Sequence, residues 1–155
     1  MKYFVKLCVA VLSVVLFLGC NSSETDSSGN ESVADKVLSD SNSDETTLKL
    51  AVKIANQQCP QQVDEYMTWT GVELVNKNVV YTYELSDSDV SEALMDESLC
   101  PDEVLKNSII NEFQNGNEAE VQKFVRLCKK TKSNHVYLYK LGNRKRDITI
   151  GYDEL

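Results

Sequence analysis

The sequence predicts an α+β domain in which a four-stranded, mostly antiparallel sheet packs against helices, in the order α-β-β-α-α-β-β. Two pairs of β-branched and aromatic segments flank short polar turns, and three further stretches repeat apolar residues at helical spacing. In the first helix Thr46 or Thr47 is the expected cap, Leu48, Ala51, Val52, Ala55 and Cys59 share one face, and Pro60 is the expected stop. Tyr66 to Val75 and Val79 to Leu85 form the first strand pair around Asn76-Lys77-Asn78. The second helix opens at Pro101, with Asp102 and Glu103 near the positive end of its dipole. It carries a stripe of Leu105, Ile109 and Phe113 and stops at Asn115-Gly116. The third begins with Asn117 and Glu120 in capping-box spacing and buries Val121, Phe124, Val125 and Cys128. His135 to Leu141 and Asp147 to Tyr152 form the second strand pair around Gly142-Asn143.

Only the C-terminal part of the 155 residues is expected to build this domain. Met1 to Lys6 is a short basic start, and Leu7 to Leu18 is an apolar run too short to cross about 30 Å of hydrocarbon with any margin. Residues 1–19 therefore read as a signal peptide. Phe17-Leu18-Gly19-Cys20 resembles the lipobox of bacterial lipoproteins, although Phe17 stands where a leucine is usual. The resemblance implies that Cys20 is acylated and becomes the N-terminus, holding the domain at a membrane without a spanning helix. Asn21 follows it; if the source is Gram-negative, the lack of Asp there resembles lipoproteins of the outer membrane. From Asn21 to Glu45 there are eight serines and seven acids against the single Lys36, so residues 20–45 read as a lipidated cysteine and a disordered tether. The folded domain then spans 46–155.

Within it, Cys59-Pro60 followed by Val63-Asp64, the Tyr81-x-Tyr83 strand, the acidic helical middle, and Tyr137-x-Tyr139 before Ile148-Thr149-Ile150 resemble a family of small bacterial lipoproteins. The likeness spans most of Leu48 to Leu155. It implies a fold and a cell-envelope address, and it implies no catalytic residue.

Composition narrows the chemistry. A formal net charge of −8, from 24 acids against 16 bases, argues against a nucleic-acid binder. The one histidine and six glycines argue against His-rich metal sites and Gly-rich phosphate loops. Asp87-Ser88-Asp89 and Asp40-Ser41-Asn42 begin like calcium loops, but Glu92 and Glu45 replace the glycine at the sixth position, so both read as solvated acidic loops. No metal, cofactor or catalytic set is nominated. After processing, Cys59, Cys100 and Cys128 remain in an exported domain, where disulfides persist. Cys59 and Cys128 both complete helix stripes, so Cys59–Cys128 is the first expected pairing and Cys100–Cys128 the second. A spare Cys100 at a helix N-terminus would have a lowered thiol pKa, with His135 as the single histidine to serve it. His135 is expected to be a surface or half-buried structural residue, and Trp69 a core residue.

Charge order says more than net charge. Between Asp64 and Glu120 stand fourteen acids and two bases, whereas Val121 to Arg146 holds nine bases and no acid. Lys129, Lys130, Arg144, Lys145 and Arg146 form a candidate binding patch, unless they pair with the acidic half of the same domain. The leading expectation is a non-enzymatic, membrane-anchored module that binds an envelope protein. The alternatives are polyanion or anionic-lipid binding through the basic hairpin, and an envelope hydrolase or thiol enzyme.

Overall fold

A computed structural model of the chain describes residues 43–115 and 119–155. The signal peptide, Cys20 and nearly all of the tether lie outside the described residues, as does the Asn117–Glu120 capping box. Among the described residues nine elements follow one another: α1 (Asp44–Asn56), β1 (Gln61–Gln62), β2 (Met67–Val75), β3 (Asn78–Leu85), α2 (Asp89–Met95), α3 (Asp102–Asn115), α4 (Ala119–Thr131), β4 (Asn134–Leu141) and β5 (Arg144–Ile150). The α+β class is as expected. The strand count and direction are not: five strands form one mixed sheet of order β1-β2-β3-β4-β5, with β3 and β4 parallel.

The parallel pair follows from the connection. Three helices carry the chain from the end of β3 back to the start of the sheet, so β4 begins level with β3 and runs beside it, Asn78 opposite Asn134. The two hairpins are tight. Asn76 and Lys77 both have positive φ, 49° and 64°, so a two-residue turn replaces the expected three-residue one. Gly142 supplies the positive φ of 55° in the second turn. There β5 starts at Arg144 and not Asp147, because a two-residue turn returns the chain into register at once.

Two elements are additions. β1 is a pair of glutamines set against Trp69 and Thr68, too short and polar to show alternation. α2 occupies the segment expected as an acidic loop: Ser88 caps it, its Oγ accepting from the Ser91 amide at 3.1 Å, and Ser91 and Leu94 are buried. Ser43, not Thr46 or Thr47, caps α1, and α1 ends three residues before Cys59.

The core lies between the helices and one face of the sheet. Met67, Trp69, Val72, Val79, Tyr81, Tyr83, Tyr137, Tyr139, Ile148 and Ile150 face Leu48, Val52, Leu94, Leu105, Ile109, Phe113, Val121 and Val125. A bulge between Trp69 and Gly71 keeps Trp69 and Val72 on the same face. The alternating tyrosines of β3 and β4 interleave with His135 into one stack, His135–Tyr81–Tyr137–Tyr83–Tyr139, with centroid spacings of 5.9, 5.0, 6.4 and 5.6 Å.

Candidate functional site

The basic residues are divided between the two faces of β5 and the C-terminal end of α4. Alternation along β5 turns Arg144 and Arg146 toward the helices with Ile148 and Ile150, and leaves Lys145 on the opposite face. Arg144 pairs with Glu92 of α2. Arg146, its side chain only 9% exposed, is more deeply committed. It binds the Asp102 carboxylate and donates to the carbonyls of Leu94 and, at 2.6 Å, of Cys100. Lys130 lies 3.6 Å from Asp44, and Lys129 is exposed at the C-terminal end of α4, where a cation suits the dipole. Two of the nine bases between Val121 and Arg146 thus pair with the acidic middle, Arg144 with Glu92 and Arg146 with Asp102, and Lys130 pairs with Asp44.

Arg146 fixes the junction between α2 and α3. One guanidinium holds the end of α2, the residue before Pro101 and the first residue of α3. Asp96 adds a turn of its own, its Oδ1 accepting from the Ser98 amide and hydroxyl at 2.9 and 2.7 Å. This braced segment displays two large apolar side chains, Leu99 at 68% and Val104 at 55% exposure. Asp96, Glu97, Asp102 and Glu103, their near neighbours in sequence, are all exposed. Neither Leu99 nor Val104 had been singled out in the sequence, because both sit beside helix stripes without joining them.

The three thiols stay apart. Cys59, Cys100 and Cys128 are free, so the expected Cys59–Cys128 bond is absent, as is Cys100–Cys128. The premise of the pairing fails, since α1 ends before Cys59 and leaves it in the turn leading to β1, off the helix stripe. Burial raises the pKa of all three, that of Cys128 to about 12. At Cys100 burial outweighs the nearby Arg146, the reverse of the lowering expected at a helix N-terminus.

His135 is neither surface nor half-buried; it is fully enclosed. Tyr81 Oη lies 3.1 Å from its Nδ1, while Phe113 and Phe124 present their edges at 5.4 and 6.0 Å. Nε2 has no partner among the described residues, and burial pulls the pKa from 6.5 down to about 4. His135 pairs with Ile150 and Cys100 meets Arg146, so the two sit at opposite ends of β5. Glu112, which no sequence pattern marks, has a buried Oε2 without a partner among the described residues and a pKa raised by burial to about 7. A cleft of about 220 Å³ between α1 and the first hairpin is lined by Leu48, Lys49, Leu74, Lys77, Thr131 and Ser133. Among the described residues no group of three His, Cys, Asp or Glu is placed to hold a metal ion, and no helix is long and apolar enough to cross a membrane.

The fold is similar to that of a crystal structure from Pseudomonas aeruginosa described as a "putative secreted protein". The TM-score is 0.52 at 8% identity, and the match covers 81% of this chain and 98% of that one. At that identity the likeness extends to the fold alone. No protein-family model and no curated protein matches the chain.

Proposed function

We propose that the chain is a bacterial lipoprotein held at the cell envelope through acylated Cys20, and that its domain binds an envelope protein without catalysing a reaction. The N-terminal sequence supports the address, and the secreted description of the structural neighbour is compatible with it. The observation that carries the binding role is the α2–α3 junction. Large apolar side chains cost free energy in water, by about 25 cal/mol for each Å² of apolar surface exposed. Here Leu99 and Val104 are exposed on a segment that Arg146 ties to β5 through Leu94, Cys100 and Asp102. A preordered apolar pair loses little conformational freedom on binding, and its acidic surroundings select a partner that is apolar and basic.

The polyanion alternative is weakened because Arg144 and Arg146 are engaged by Glu92 and Asp102. The thiol-enzyme alternative is weakened by the raised pKa of Cys100 and the enclosure of His135. A photo-crosslinking residue at Leu99 or Val104 of the full chain, in its own cells, tests the proposal, with exposed Lys53 on α1 as the control position. One discrete protein adduct from Leu99 and Val104, absent from Lys53 and lost on Cys20→Ala, is expected. Equal labelling from all three positions, or none, overturns the binding role.

A further inference from the structure

The helices cover one face of the sheet; the other is bare of every described helix. On it β3 presents Val80, Thr82 and Glu84, and β4 presents Val136, Leu138 and Lys140. Val80, Val136 and Leu138 are half-buried by their strand neighbours yet belong to no part of the core. Register places these residues in three rows: Val80 opposite Val136, Thr82 opposite Leu138, and Glu84 opposite Lys140. The two central columns are therefore matched in a particular sense. Beyond the Asn78–Asn134 row that opens it, each runs from apolar to charged, and the charges are opposite.

We infer that this face docks a second copy of the chain. A two-fold axis lying between β3 and β4, along the strands and in the plane of contact, sets β3 of one copy over β4 of its partner without reversing direction. Because β3 and β4 are parallel, the rows keep their order. Val80 then meets the partner's Val136, Thr82 meets the partner's Leu138, and Glu84 meets the partner's Lys140, each contact made twice. An antiparallel central pair would not give this match, since the same axis would carry apolar ends onto charged ones. Two sheets packed in this way lie about 10 Å apart, with side chains of this size filling the gap. Four strands of seven residues offer a projected area of about 450 Å² per copy, from strand spacings of about 4.8 Å and a rise of about 3.4 Å per residue. That is the area of a weak, reversible dimer.

Sedimentation velocity on the full chain in detergent, over a range of concentrations, tests the inference. A monomer–dimer equilibrium is expected, weakened about tenfold or more by Leu138→Glu, equivalent to at least about 1.4 kcal/mol. Glu84→Lys and Lys140→Glu should each weaken it alone, by setting like charges across the axis. Mixing those two variants should restore a dimer, because each cross-axis pair becomes opposite again while Glu84 and Lys140 remain mismatched within each chain. Recovery on mixing thus separates contact between copies from any effect on folding. A monomer at every concentration overturns the inference. So does a dimer that is indifferent to Leu138→Glu and to the mixing of the charge variants.

Discussion

His135 and Arg146 stand at opposite ends of the β4–β5 pair, both turned toward the helices and both able to carry charge. The molecule deals with them in opposite ways. At the Ile150 end the layer above is Phe113 and Phe124, which offer His135 no acceptor, so the ring stays neutral. At the Tyr139 end the layer above is the α2–α3 junction, whose two carbonyls and carboxylate take up every face of the Arg146 guanidinium that points inward. The difference between the two lies in the helical layer packed above each end. The consequence is one end of the hairpin that responds to protons and another that holds a loop in place.

Removing the charged group should have the larger effect. Arg146→Met leaves the Leu94 and Cys100 carbonyls unpaired and Asp102 without its cation, at a cost of about 3 kcal/mol in chemical denaturation. Arg146→Lys should recover less than half of this, because a single ammonium cannot serve three acceptors spread along a guanidinium fork. Hydrogen exchange should quicken selectively around the α2–α3 junction in both variants. If Arg146→Met shifts stability by less than about 0.5 kcal/mol, the junction is held by something else.

The neutral end should show itself through pH. The folded-state pKa of His135 lies near 4, below the ordinary 6.5, so the unfolded chain takes up a proton first. Stability from this group is complete above 6.5 and is lost as pH falls toward 4, by about 3 kcal/mol. Glu112 opposes it. Its folded-state pKa near 7 exceeds the ordinary 4.5, so its contribution grows as pH falls from 7 to 4.5. Between about 4.5 and 6.5 the two slopes offset each other. His135→Phe should remove the acid-side loss and reveal a profile rising toward pH 4.5. Glu112→Gln should steepen the acid-side loss and add about 1 kcal/mol at pH 8, a value discounted for the half of Glu112 that water reaches. Urea titrations at pH 8, 6 and 4.5 distinguish the two variants by slope, whatever constant offset each carries.

Much of this frame was legible in the residues. The stripe Leu105, Ile109 and Phe113 and the alternating tyrosines of β3 and β4 face the core as their spacing requires. The parallel β3–β4 pair was not legible, because strand direction is set by a crossover of three helices and not by anything within either strand. α2 was missed because seven residues with acids among them look like a loop until Ser88 is seen as a cap. The split between acidic and basic halves reads equally as a binding patch or as internal pairing; Arg144 and Arg146 pair internally, and nothing in the residues marks Arg146 as the one most engaged. Cys59 continues the apolar spacing of α1 in the sequence, but the helix stops at Asn56 and leaves it three residues on, in the turn.

The smallest effect concerns the approach to His135 along the chain. α4 ends with the Ser133 amide bonded to the Cys128 carbonyl at 2.9 Å and the Lys132 amide to the Lys129 carbonyl at 3.2 Å, the two bonds of a Schellman turn. Lys132 is the residue after the cap and adopts a φ of 54°, where a β-carbon is crowded and glycine is at ease. Thr131 and Ser133 on either side are buried and joined through their hydroxyls at 2.9 Å, so the turn cannot relax by shifting its neighbours. Lys132→Gly should therefore raise stability by about 0.5–1 kcal/mol, the relief of the left-handed strain outweighing the extra freedom of glycine in the unfolded chain. It should do so equally at pH 8 and pH 4.5, since the lysine is exposed. A gain that vanished at low pH would tie this turn to the protonation of His135 three residues on, and would join the two ends of the comparison.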